Sequence, residues 1–457
     1  MSVDVQSRSR HHDREQVISR QDTRESSART YARTLTMVPV KARGMTITGA
    51  DGRTYLDCLS GAGTLALGHN HPVVVEAVRR VIDDGAPWHS LDIATPQKDE
   101  FTDELFATLP RSLQEKGRIQ FCGPAGTDAV EAALKLARTA TGRQPVLAFT
   151  GAYHGMTAGA LAISGGVSAK TPMAGVAAEG VRLPFPYEYR CPFGVGEGRT
   201  DALSAAYVER FLDDPNGGLV EPAAMIMEVV QGEGGVIPAP HAWMLAMRQI
   251  TADRDIPLIV DEVQTGVGRT GTFWASQGAG IEPDVMVMSK AIGGTLPLAV
   301  IVYADHLDAW APGAHAGTFR GTTLAMAAGA ATLRHVRVEG LADRAAELGE
   351  RIVGRLRALQ AQQSCMGDVR GRGLMLGVEI VEPGSAPDAA GSRPAAPALA
   401  LRIRQGCLSR GLIVELGGRH DAVVRLLPPL VMTDEECETV LERLSEAIAV
   451  AEREATT

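Results

Sequence analysis

Four short apolar runs constrain the fold of this chain more tightly than any other feature. They cover residues 145–149, 223–230, 257–260 and 285–288, and none alternates apolar with polar positions. A strand with one wet face alternates. A strand buried on both faces does not, because neither side-chain direction meets water. Helix-like stretches at 98–109, 127–139, 202–212 and 242–253 fall before and between these runs. Strand and helix in alternation predict an α/β chain with a mainly parallel central sheet.

The chain has 457 residues, and at about 100–200 residues per domain this exceeds one small unit. Residues 1–33 are polar, charged and aperiodic, and read as a disordered or docked N-terminal arm. Residues 34–75 are expected to join a smaller α+β domain, whose C-terminal part is 326–457. Residues 76–325 are expected to form the large cofactor-binding domain. Lys and Arg number 45 against 54 Asp and Glu, a net charge of −9, which argues against a general nucleic-acid binder. No apolar run is long enough to span a membrane, and the N-terminus lacks the apolar core of a secretory signal. The six cysteines show no CxxC spacing, so they read as reduced packing residues of a cytosolic protein.

Two glycine-rich loops, beginning at Gly61 and Gly266, fit dinucleotide fingerprints loosely and strictly. Neither opens a helix directly after a strand, so both read as loops shaping a cleft. GPAGTDAVEAALKLAR (123–138) is a better anion site. Gly126 and Thr127 start an Ala-rich amphipathic helix whose free N–H groups and dipole suit a phosphate, although an ordinary Thr cap reads equally well. In PLIVDEVQTG, Asp261 follows an apolar strand and lies where open α/β sheets bind ligands. In VMVMSKAIGG, Lys290 stands at another strand end, where desolvation turns a lysine into a nucleophile. One cofactor needs all three groups. Pyridoxal 5'-phosphate takes a Schiff-base lysine, a carboxylate on its ring nitrogen and a phosphate cradle, and requires no metal. Tyr153 in GAYHG adds an aromatic that could stack on its ring.

With these motifs, and with EVVQGEGG, HAGTFRG and VVRLLPPL, the chain resembles the class III aminotransferases of the type-I pyridoxal-phosphate fold. The resemblance runs from about residue 35 to the C-terminus. It implies that Lys290 is the Schiff-base lysine and proton shuttle, and that Asp261 pairs with the ring nitrogen. It implies that Gln264 reaches the ring's phenolic oxygen, that Gly126 and Thr127 hold the phosphate, and that Tyr153 stacks on the ring with His154 behind it. Glu228 and Val263 complete the implied cofactor contacts. Thr318 would close the phosphate site from a second subunit, making a homodimer with shared active sites. Arg425 would grip the α-carboxylate of glutamate, with Glu233 as its switchable partner. PYEYRCPFG (186–194) and GAHAGTFRG (313–321) resemble the branch acting on 2,4-diaminobutyrate and 2-oxoglutarate. Ornithine, acetylornithine or 4-aminobutyrate as amino donor, an aminomutase, and a non-catalytic protein that kept the fold stand as alternatives. Val229 departs from the proline usual in the family, and Met156 from an arginine that clamps a substrate carboxylate in many relatives. The residues after Thr318 also depart, and one of them, Arg320, is a candidate replacement for that clamp.

Overall fold

The computed structural model describes residues 14–172, 180–196 and 198–456, so the first thirteen residues of the arm lie outside it. Among the described residues the central sheet has seven strands: β1 (Gly117–Phe121), β2 (Val146–Phe149), β3 (Gly180–Leu183), β4 (Ala224–Glu228), β5 (Leu258–Asp261), β6 (Val285–Met288) and β7 (Val300–Ala304). Their spatial order is β1-β7-β6-β5-β4-β2-β3. Strands β2 to β6 pair in parallel, and β7 runs antiparallel to both its neighbours. The mainly parallel α/β sheet expected from the apolar runs is present.

The two faces of this sheet divide the apolar residues by parity. Ile259 and Ile226 pack with Ala129, Ala132, Ala133 and Leu136 of the helix Gly126–Thr141. Leu258, Val260, Met225 and Met227 pack on the other side, against Trp243, Met244 and Met247 of the helix His241–Ala252. Both directions are apolar because both are covered, and each fully buried Val, Leu or Ile contributes about 1.5–3 kcal/mol. Alanines on the first helix let its axis approach the sheet closely. Its first residues, Gly126 and Thr127, share a cavity with the strand-end residues Glu228 and Asp261.

Three strands went unread in the sequence. β1 and β3 are the two edges of the sheet and keep partly exposed polar positions, so their runs look mixed. β7 is buried along nearly its whole length, but its direction is a matter of connection, which hydrophobicity does not encode.

Two four-stranded sheets accompany the large one. One joins Pro39–Arg43, Thr46–Gly49 and Thr54–Asp57 to Leu412–Ile413, the last two in parallel. The other orders Met366–Arg372, Met375–Ile380, Val423–Leu426 and Glu415–Gly417. Before them, residues Arg14–Arg24 form a helix. Arg14 donates to the Thr36 carbonyl at 2.6 Å, and Arg33 reaches back to Gln21 and Asp22. Leu35 and Met37 pack against Ile47, Tyr55 and Ile413. This part of the arm is therefore docked, and the turn Tyr31–Thr34 lies over the edge strand that carries Glu415.

Candidate active site

Parallel pairing sets Asp261 level with Glu228 on β4 and with Val287 on β6. Two residues past Val287's neighbour Met288, Lys290 enters the same space. A cavity of about 260 Å³ opens at these strand ends, lined by Gly126, Thr127, Tyr153, His154, Met156, Glu228, Glu233, Asp261, Val263, Gln264 and Lys290, among others. Residues spread over some 165 positions of sequence thus share one wall system.

Asp261 is held from two sides. Its Oδ1 accepts from the Val263 amide at 3.0 Å, and its Oδ2 lies 2.7 Å from His154 Nδ1. His154 is fully buried. Burial lowers its pKa, but the hydrogen bond and charge of Asp261 outweigh that and raise it. The neighbouring Glu262 turns the opposite way. It accepts from Thr265 Oγ1 and from the amides of Ala275 and Ser276, which makes it a loop-builder. Glu228, pushed up to about 7 by burial, accepts from the amides of Tyr153 and Gly232 and so fixes the loop that presents Tyr153.

Lys290 adopts φ +51°. A left-handed backbone at a non-glycine costs about 1–3 kcal/mol and persists where surrounding structure imposes it, often at functional sites. Desolvation lowers its pKa below the ordinary lysine value, opposed by the charges of Glu233 and Asp261. More of its amine is thus neutral, and only the neutral form is a nucleophile.

Across the cavity, a Cβ on Gly126 would meet Val263 Cγ1 at 3.0 Å, so the bare backbone there is required by close approach. Thr127 Oγ1 lies 2.6 Å from Thr157 Oγ1, which in turn donates to Glu131. Gln264 donates to the Ala62 carbonyl, tying the two glycine-rich loops together. In the second of those loops, Gly266 lies against the Trp274 ring and Gly268 and Gly271 take positive φ, the signs of tight packing. Gln264 Oε1 and His154 Nε2 are buried beside the cavity without a hydrogen-bond partner, and buried polar atoms ordinarily have one. These orphaned atoms, the helix N-terminus with its bare glycine, the strand-end carboxylate and the desolvated amine fit pyridoxal phosphate. Asp261 would face its ring nitrogen, Tyr153 and Val263 its two ring faces, and Gly126 and Thr127 its phosphate.

Arg425 lies at the other end of the site. It is fully buried and forms a double ion pair with Glu233, at 2.9 and 3.0 Å. Glu415, directly opposite Arg425 on the paired strand, approaches it at 3.2 Å. Neither Glu415 nor Tyr31, whose phenol is pushed up by burial and by the charges of Glu415 and Glu233, was singled out from sequence. A lone acid in the apolar run IVELGG was the available signal for the first; nothing marked the second. Thr318 is exposed and lies outside this cavity. Arg320 also lies outside it, buried and paired with Asp92 of its own chain at 3.2 Å. The residues of PYEYRCPFG are structural in one chain: Tyr187 and Arg190 both contact Glu379, which Arg370 also pairs.

A family model for class III aminotransferases matches residues 26–448. The chain is 53% identical over 449 residues to a diaminobutyrate–2-oxoglutarate aminotransferase of Rhizobium meliloti (strain 1021), covering 98% of this chain and 95% of the relative. It is 46% identical to an aminotransferase of the same description from Haemophilus influenzae, covering 95% of each. An amine transaminase from an uncultivated Pseudomonas species, solved in its PLP-bound form, superposes with a TM-score of 0.83 at 30% identity, covering 94% and 98% of the two chains. With its sheet, its strand-end lysine and aspartate and its match along nearly the whole length, the chain belongs to the class III aminotransferases, pyridoxal-phosphate enzymes of the type-I fold.

Proposed function

We propose that this chain exchanges the 4-amino group of L-2,4-diaminobutyrate with 2-oxoglutarate, reversibly giving aspartate 4-semialdehyde and glutamate. The near full-length likeness to two aminotransferases that bear this substrate pair in their names carries the proposal. Bound at the strand ends, pyridoxal phosphate supplies an electron sink for the charge left when a C–H bond beside the reacting nitrogen breaks. The chain's own residues do the rest. Lys290 Nζ takes that proton and would return it to the carbon on the far side of the reacting nitrogen, a general acid–base role suited to its lowered pKa. Asp261, braced by His154 and the Val263 amide, holds a negative charge opposite the ring nitrogen. Tyr153 and Val263 restrict where the ring can lie.

One pocket must take a diamino acid in one half-reaction and a dicarboxylate in the other. With Glu233 on Arg425 the distal end suits the first; with Glu233 turned away, Arg425 can grip the second carboxylate. Glu233 is partly exposed at 29% while Arg425 is buried, so the glutamate is the movable partner. Arg425→Ala is expected to slow the 2-oxoglutarate half-reaction by about 100-fold, the worth of two charge-assisted hydrogen bonds. The diaminobutyrate half-reaction should fall by less than tenfold. Single-turnover rates for each half, with melting temperature as a check on folding, decide this. An equal loss in both halves rejects the switch.

Met156 lines the cavity and is exposed, so no guanidinium stands there to clamp a simple ω-amino acid. In an amino-donor panel read by glutamate formation, diaminobutyrate is expected to give the highest kcat/KM. A higher value for ornithine or 4-aminobutyrate overturns the substrate assignment but leaves the family standing. Product formed without 2-oxoglutarate would indicate a mutase instead. We further place Thr318 at the phosphate of a second subunit in a homodimer. Its exposure, and the exposed apolar side chains of Trp88, Leu91, Ile93 and Phe319 around the same loops, support that reading. Arg320 has its charge matched by Asp92, which weakens its case as the substrate's carboxylate partner. Among the described residues no helix is long and apolar enough to cross a membrane. The six cysteines are free and buried, which supports a cytoplasmic setting. The division into arm, large domain and small domain is proposed at the boundaries given from sequence.

A further inference from the structure

Arg425 is flanked by two carboxylates. Glu233 lines the cavity and meets Arg425 there. Glu415 approaches the Nη2 that Glu233 also meets, at 3.2 Å, held there by strand register and covered almost completely, with its side chain 1% exposed. Both Glu415 oxygens are buried, with no partners beyond Arg425 and the Tyr31 hydroxyl beside them. A buried carboxylate ordinarily gains several hydrogen bonds or gives up its charge. Here its main compensation is a cation already held by another acid. The cluster carries one positive group and two acids.

We infer that Glu415 is a positioning residue for donor specificity: by sharing the charge of Arg425 as the buried acid of the pair, it leaves Glu233 as surplus negative charge facing the cavity, which selects an amino donor with a second ammonium group. The inference rests on the proposed diaminobutyrate–2-oxoglutarate exchange and assigns a residue to its selectivity. A donor with the same carbon chain but no 2-amino group, 4-aminobutyrate, cannot use that charge. A dicarboxylate is opposed by it. Burial pushes the Glu415 carboxyl up to about 7, with Arg425 pulling it down and Glu233 pushing it up. Tyr31 and Arg404 are the other titratable groups facing it. Near neutrality an arriving dicarboxylate can therefore draw a proton onto Glu415, which lessens the opposition in the second half-reaction.

The test uses the full-length holoenzyme and Glu415→Gln, which keeps the shape and removes the charge. The ratio of kcat/KM for diaminobutyrate over 4-aminobutyrate is expected to fall at least about tenfold, and KM for 2-oxoglutarate to fall about threefold or more, the scale of one charge a few ångströms away. Shifts of opposite sign on two substrates are not what a damaged fold produces. Glu415→Met, which removes the charge without leaving an amide to satisfy, is the second variant and is expected to shift both quantities the same way. Glu415→Asp should keep the wild-type ratio. A ratio within twofold of wild type in the charge-removing variants, or a KM for 2-oxoglutarate that rises with the loss, overturns the inference alone. A wild-type enzyme that prefers 4-aminobutyrate overturns the donor assignment and this inference together.

Discussion

Lys290→Ala is expected to abolish steady-state transamination, lowering turnover by about four orders of magnitude or more. The proposed reaction gives the lysine two jobs, and the substitution removes both. Its amine is the group that would attach to the cofactor's aldehyde, and its Nζ is the base and acid that relocates a proton; general acid–base roles alone are worth about 10²–10⁴-fold. The geometry leaves no substitute. The other ionisable side chains lining the cavity are Tyr153, whose phenol burial makes harder to ionise, and His154, Glu228, Glu233 and Asp261, each engaged with another group. The fold should survive. Residues 285–288 are buried on both faces by apolar neighbours, and Lys290 itself belongs to the turn that follows them. The left-handed φ remains, so the variant keeps that strain, and its melting temperature should lie near that of wild type. Cofactor absorbance after gel filtration would show noncovalent retention. Turnover near the wild-type value would remove the basis of the whole assignment.

How much of this was visible in the sequence depends on the kind of force involved. The buried strands announced themselves because burial on two faces leaves only apolar residues, and their ends located Asp261 and Lys290 directly. Gly126 and Thr127 were visible because a helix start has a local signature. His154 was placed behind Tyr153 by resemblance, but its partner, Asp261, lies 107 positions away and no local pattern points to it. Tyr31 carried no signal, for the same reason in stronger form, and Glu415 carried only that of a lone acid in an apolar run. Their importance comes from the pairing of two strands and the docking of the arm, and a lone buried acid differs little in sequence from a solvated one. The loops beginning at Gly61 and Gly266 read as cleft-shaping, and Gln264 bridging to Ala62 agrees with that. The edge strands β1 and β3 escaped because an edge tolerates polar residues. Hydrophobic pattern thus recovers the centre of such a sheet before its margins, and the cofactor end of the site before the substrate end.

Asp261→Asn tests the cofactor end. Both Asp261 oxygens are already engaged, one by the Val263 amide and one by His154. Asparagine can keep that shape if its carbonyl faces the Val263 N–H, which turns its NH₂ toward His154 Nδ1. That arrangement keeps the site folded but loses the negative charge that the proposed role sets opposite the cofactor's ring nitrogen. Without it the nitrogen releases its proton more readily, and the ring accepts charge less well in the transition state. A preorganised electrostatic partner of this kind is worth about 3–5 kcal/mol, so turnover is expected to fall by two to four orders of magnitude, roughly. Cofactor affinity should fall much less, because phosphate and ring contacts are untouched. A second readout comes from His154. Its pKa is raised by the hydrogen bond and charge of Asp261 against the opposing effect of burial. Removing that charge should lower it, and NMR titration of the imidazole in the variant would detect the change. A turnover loss below tenfold, with the His154 pKa lowered as expected, would mean that Asp261 orients the histidine but is not the ring-nitrogen partner.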